Sequence, residues 1–295
     1  MKQQRKNMRG AAMKPNSKRK KFYPWRKKQA QVHPEVSLPP QMPHWQGASA
    51  TLVGLAHMRQ KPPVPCQDAA WCEGGKLPLV MVSDGAGSAS LSHIGSQAIL
   101  QGLRRYFRTL SDDYAQILDP VVAPDEALAK KLALRPVKHA RLILADLAQQ
   151  YAHPDKMFRS TLVIALGGAS RWLWVRVGDG ALVEERKGVL STLGTSGKGE
   201  YANETCFIDN TLTLDAVQYG LIPTDGLSGI AAMSDGAAER LVGADRISPQ
   251  MGDFFSQART GKLSSSDLHQ FFADPRVWVD KPSTGDDRGM AVLAA

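Results

Sequence analysis

The stretch LVIALGGASRWLWVRVGDGALVEERKGVL, residues 162–190, decides the architecture of this chain. Its apolar runs are parted by short Gly-containing turns, and apolar runs at 161–167, 171–177, 181–185 and 189–193 read as strands. Turns this short join antiparallel neighbours, whereas a parallel pair needs a crossover of about a dozen residues or more. The stretch therefore reads as a meander and not as a βαβ unit. Working outward, further strands read at 50–57 (ATLVGLAH), 68–73, 78–83, 229–233 and 289–294. Helical spacing fills the intervals. Residues 92–110 place Ile94, Ala98, Leu103, Tyr106, Phe107 and Leu110 on one face, with Ser92 available as N-cap. A second pattern runs over 125–150, interrupted at Pro136, and shorter ones over 248–257 and 265–273. Strands first and last with paired helices between them define an α+β fold: two packed antiparallel sheets flanked by helices.

Two of these strands end in the same tetrapeptide, Ser83-Asp84-Gly85-Ala86 and Ser234-Asp235-Gly236-Ala237. A buried strand that finishes in Asp-Gly leaves the acid at the rim of the sheet, where Gly permits a sharp turn and a close backbone approach. Asp68 opens the run AAWC, and Asp286-Asp287 precedes the closing run MAVLAA, so four strand ends carry Asp. Carboxylates converging in a partly dry site cannot all stay ionised without a cation. Oxygen ligands suit Mg²⁺ or Mn²⁺. Zinc is disfavoured, because the seven histidines form no HxH, HExxH or HxxxH pair and the three cysteines no CxxC.

The 295 residues carry a net charge of +9, unevenly placed. Residues 1–45 hold twelve Lys/Arg and one acid, so the remainder is close to neutral. That segment, passing through HPEVSLPPQMPHW, has the composition of a disordered arm and linker, and residues 46–295 form the catalytic domain. The arm is either a solvated tail or, by charge alone, a contact for nucleic acid, anionic lipid or an acidic protein partner; Tyr23 and Trp25 sit among its bases. No apolar stretch after the N-terminal bases reads as a secretory signal, and no run approaches the roughly 20 residues of a membrane span. With three unclustered cysteines, the expected location is the cytoplasm.

Taken in order, CQDA, VSDGAGS, STLVIAL, VGDG, AMSDGAAE and GDDRGMAVL resemble the metal-dependent type 2C (PPM-type) Ser/Thr protein phosphatases, especially their compact bacterial branch, across residues 46–295. The resemblance implies a four-layer αββα fold, a central antiparallel β-sandwich flanked by helices. It also implies a two-metal Mn²⁺/Mg²⁺ centre, and hydrolysis of phosphoserine and phosphothreonine in proteins by direct attack of a hydroxide bridging the two ions. Carried onto this chain, it makes Asp84 the acid bridging both metals, Gly85 a carbonyl ligand, and Asp235 and Asp286 the ligands of the other metal. Asp68 would act through metal-bound water, and Asp179 would stand behind the ligands. The catalytic set is then Asp84, Asp68 and Asp235, and Asp155 is a candidate for a third metal. By resemblance the substrate is a phosphorylated protein, a cognate Ser/Thr kinase is a partner, and a monomer is expected.

The chain departs from the family at two places. The Arg that many members carry before the acidic pair is replaced by the segment 57–66 with altered spacing, leaving Arg59, then Lys61, as candidates for the substrate phosphate and His57 as a further contact. The position after Asp84-Gly85, often His in eukaryotic members, is Ala86, so that motif supplies no general acid; metal-bound water and His93 are the alternatives. The Gly-rich stretch 194–199 lacks the Walker A spacing and reads as a flap loop beside the site. Two other readings remain open: a catalytically weak, regulatory member of the fold, and a nucleic-acid- or acidic-partner-binding protein acting through its arm.

Overall fold

The computed structural model describes residues 43–194, 205–243, 246–278 and 285–295. The arm up to residue 42, and all of the 194–199 loop except Gly194, lie outside the described residues.

The described strands form two five-stranded antiparallel sheets. One contains β2 (Asp68–Glu73), β3 (Leu79–Asp84), β4 (Leu162–Gly167), β5 (Arg171–Val177) and β8 (Gln218–Pro223), in that order across the sheet. In the other, β1 (Gln46–Leu52), β10 (Arg288–Ala294), β9 (Leu227–Met233), β6 (Ala181–Arg186) and β7 (Val189–Thr192) lie side by side. The helices are α1 (Leu55–Met58), α2 (Ser92–Thr109), α3 (Ser111–Leu118), α4 (Glu126–Tyr151), α5 (Asp235–Leu241), α6 (Gln250–Arg259) and α7 (Ser265–Ala273).

The central strands carry unbroken apolar runs over most of their length because both of their faces are covered. Along β3 and β4, Leu79, Met81, Leu162, Ile164 and Leu166 pack outward with α2 and α4. Their neighbours Val80, Val82, Val163 and Ala165 pack inward against Ile230 and Ala232 of β9 and Ala291 and Leu293 of β10. On the far side, Ala231, Met233, Met290 and Val292 meet Leu241, Phe255 and Phe272 of α5, α6 and α7. Three apolar cores thus separate four layers, helix, sheet, sheet and helix. With a period of two, each strand feeds two cores at once. The inner core begins with Trp45, 2% exposed, whose ring meets that of Trp172 edge-on at 4.7 Å.

The stretch 162–190 folds differently from a single meander. β4 and β5 pair as one hairpin, but β6 leaves that sheet and pairs with β7 and β9 in the other. The turn 178–180 crosses between the sheets, with Gly178 at φ +100, and a Cβ there would lie 2.5 Å from Thr161 Cγ2. Only glycine supplies that backbone against such a neighbour. Asp179 is thereby placed at the rim of the sandwich.

Other expectations shift locally. The strand read at 50–57 ends at Leu52, and residues 55–58 turn into α1, because the Gly54 N–H donates to Asp287 Oδ1 at 2.6 Å and ties the chain down. α4 runs unbroken through Pro136: Leu132, Ala133, Leu134, Pro136 and Val137 are all buried, and that packing offsets the roughly 3 kcal/mol a helical proline costs. Ser92 begins α2 and donates to the Ala89 carbonyl, so it does not cap the helix. No helix among the described residues is long and apolar enough to cross a membrane.

Candidate metal centre

One rim of the sandwich gathers the acids. Asp68, the first residue of β2, is the cross-strand partner of Asp84, the last residue of β3. Asp235 opens α5 directly after β9, and Asp286 precedes β10, whose Met290 pairs with Met233 at the end of β9. Asp179 arrives from the crossover turn. Both sheets therefore contribute, and the antiparallel order brings the ends of β3 and β9 to the same edge as the starts of β2 and β10.

Among the described residues, Asp84, Asp179 and Asp235 each offer a carboxylate oxygen within 4.8 Å of the others. Asp68 lies beside them, 2% exposed, and both of its oxygens are buried without a hydrogen-bond partner. Burial pushes the Asp68 carboxyl well above the usual range, with Asp287 adding to the effect and Ser234 opposing it. Asp84 is raised by burial first and then by the charges of Asp68 and Asp235. Asp235 is raised to about 6, by burial first and then by Asp179 and Asp286, and burial raises Asp286 as well. A crowded, oxygen-only acidic cluster, with Asp68 fully buried and Asp84 and Asp235 half-buried, fits a hard divalent cation, which would allow all of its members to ionise.

The two adjacent acids before β10 divide their work. Asp287, 2% exposed, accepts the main-chain N–H groups of Gly54 and Gln67, both at 2.6 Å, and its Oδ2 lies 3.0 Å from His57 Nδ1. Asp286 is left facing the cluster, its charge felt at Asp235. Gly236, in the first turn of α5, approaches this segment so closely that a Cβ there would lie 2.1 Å from the Asp287 carbonyl oxygen.

The remaining candidates are placed as follows. Gly85 donates its N–H to the Gln67 carbonyl at 3.1 Å. His57 turns to Asp287, while Arg59 and Lys61 stand exposed beyond α1. Asp155 uses its two oxygens on the N–H groups of Lys156 and Asn210, holding its own turn to the segment 205–212. His93 lies in the first turn of α2 with Nδ1 buried and unpartnered. Three residues not singled out as site residues support the acids. Thr161 binds the main chain of Asp84 through N–H and hydroxyl. Ser234 locks β9 to β10, its N–H donating to the Gly289 carbonyl and its Oγ accepting the Gly289 N–H. Asp287 anchors two loops. The hint for Thr161 and Ser234 was a hydroxyl residue at the very end of an otherwise apolar strand.

The family model described as Protein phosphatase 2C matches residues 53–273, and the chain belongs to that family. Among curated proteins it is similar to Serine/threonine-protein phosphatase 3 of Escherichia coli (strain K12), 26% identical over 263 residues, covering 84% of this chain and 97% of that protein. Its fold is also that of two solved structures. The catalytic domain of the serine threonine protein phosphatase PstP, in complex with 2 manganese ions, matches at TM-score 0.55 and 13% identity, covering 85% of this chain and 98% of that one. Stp1 from Staphylococcus aureus matches at 0.54 and 14%, covering 90% and 99%.

Proposed function

We propose that this chain is a Mn²⁺- or Mg²⁺-dependent protein phosphatase acting on phosphoserine and phosphothreonine. The observation that carries the reading is the cluster of Asp84, Asp179 and Asp235, with the buried Asp68 beside it, in a chain of the protein phosphatase 2C family. Asp84, Asp179, Asp235 and Asp286, with the Gly85 carbonyl, would hold the ions, and Asp68 would act through water. Two divalent ions bound there supply a lowered water pKa and offset the charge on the phosphoryl oxygens.

The protein's own residues do the rest. Thr161 and Ser234 fix the strand ends so that the acids converge without reorganisation. Asp68, buried beside Asp84, is placed to accept a proton from attacking water. The solved PstP domain carries two manganese ions, which supports a two-ion reading here. A phosphorylated protein is the substrate and a Ser/Thr kinase the opposing activity.

The test is phosphate release from phosphoserine, phosphothreonine and phosphotyrosine peptides with Mn²⁺, Mg²⁺ or EDTA. Release from the first two that EDTA abolishes is the expected result. A folded protein that releases no phosphate from any of them contradicts the reading.

A further inference from the structure

The cations nominated from sequence for the substrate phosphate, Arg59 and Lys61, are exposed, and their side chains make no hydrogen bond or ion pair among the described residues. A different guanidinium is carried two residues from Thr161, the cross-strand partner of Asp84. We infer that Arg159 binds the phosphate of the substrate, an assignment that rests on the phosphatase reading above.

The register places it. The β3–β4 ladder continues past the strand ends: the Thr161 N–H donates to the Asp84 carbonyl at 2.7 Å, Gly85 is bridged to Ser160, and the Ala86 N–H donates to the Arg159 carbonyl at 3.1 Å. Arg159 is thus two residues from Thr161, the partner of Asp84. Side chains two apart share a face of the ribbon, about 7 Å apart along the strand, so Arg159 projects on the same side as Asp84 and Thr161. Phe158 and Ser160, the residues between, are fully buried on the other side.

Its orientation is already held. One Nη donates to Ser88 Oγ at 2.7 Å, in the loop that follows Asp84-Gly85, and the guanidinium lies 4.9 Å over the ring of Phe207. Nε is buried with no partner, which leaves a donor in want of an acceptor. No carboxylate pairs with the group among the described residues. Arg159 also lines a cleft of about 530 Å³ together with Thr205, Phe207 and Asp209. The Thr205 hydroxyl donates to Asp179 Oδ2 at 2.7 Å, so one residue of the cleft wall is bonded to an acid of the cluster. A planar fork with an unpartnered donor, held over a ring and carried on the same face of the ribbon as Asp84, is suited to take a phosphoryl group bidentately.

The experiment compares the wild type with Arg159→Ala, Arg159→Lys and Arg59→Ala. Each receives KM and kcat on a phosphothreonine peptide with Mn²⁺, calorimetric Kd for inorganic phosphate on the Mn²⁺-loaded protein, Kd for Mn²⁺, and a thermal unfolding curve. Arg159→Ala is expected to raise both KM and the phosphate Kd about tenfold or more, the loss of a charge-assisted hydrogen bond. Its Mn²⁺ affinity stays unchanged, Arg159→Lys recovers part of the loss, and Arg59→Ala raises KM and the phosphate Kd less than Arg159→Ala does. If Arg159→Ala loses its thermal transition, Arg159→Lys decides alone, with a raised KM and phosphate Kd expected. Wild-type turnover together with a folded Arg159 variant of unaltered KM and phosphate Kd overturns the assignment and leaves the phosphatase reading standing. A wild type without metal-dependent turnover overturns both.

Discussion

Thr161 closes a two-bond ring with Asp84: its N–H donates to the Asp84 carbonyl at 2.7 Å, and its hydroxyl accepts the Asp84 N–H at 3.1 Å. Asp84 is the last residue of β3, and the Thr161 carbonyl accepts the Ser83 hydroxyl at 2.8 Å, so the Thr161 hydroxyl takes the Asp84 N–H. Replacing Thr161 by Val keeps the shape but leaves that N–H without an acceptor, at a cost of about 1–3 kcal/mol. Denaturant unfolding of Thr161→Val should show that loss together with reduced Mn²⁺-dependent turnover, and Thr161→Ser should restore much of both. Unchanged stability in Thr161→Val would mean that the hydroxyl does not hold Asp84.

Asp286 and Asp287 are adjacent acids with opposite expected responses. Asp287 is buried and accepts two main-chain N–H groups, so Asp287→Ala strands them and should lower stability by roughly 2–4 kcal/mol even in metal-free protein. Asp286→Asn removes a charge from a crowded cluster and should leave metal-free stability unchanged or raised while weakening Mn²⁺ binding. Paired unfolding and calorimetric measurements check both; the reverse pattern would exchange their roles.

The raised acids make metal-free stability depend on pH. Asp235 titrates at about 6 when folded, against 3.8 for the ordinary side chain. Between those values the folded state holds a proton that the unfolded state has lost. The stabilisation is therefore complete below pH 3.8 and is lost as pH rises through 6, by on the order of 3 kcal/mol for Asp235 alone. Urea unfolding in EDTA at pH 5 and pH 7.5 should show the protein less stable at the higher pH. Asp235→Asn should flatten that difference, and Mn²⁺ should reverse it at pH 7.5. A metal-free protein no less stable at pH 7.5, or an Asp235→Asn variant with the wild-type pH profile, would contradict this.

Most of the frame was legible because β3, β4, β9 and β10 are buried on both faces and read as unbroken apolar runs. β8 was not: all of its residues are half-buried or exposed, and at the sheet edge QYGLIP has neither alternation nor a continuous run. The crossing of β6 to the second sheet was hidden for another reason, since a short glycine turn looks alike whether it closes a hairpin or changes sheet. The same ambiguity affected Asp179, whose carboxylate joins Asp84 and Asp235 only through that crossing. The Asp-Gly strand ends carried Asp84 and Asp235 openly. Nothing local marked Arg159, a single base before a buried strand, because its position follows from a ladder that runs two residues beyond the strands it joins.

The account stands on the acids at the rim being a metal centre, and calorimetric titration of Mn²⁺ into metal-free protein addresses that directly. Saturable Mn²⁺ uptake by the wild type, sharply weakened in Asp84→Asn and in Asp235→Asn while both variants remain folded, is the predicted result. Wild-type protein that takes up no Mn²⁺, or variants that bind it as the wild type does, would contradict the account.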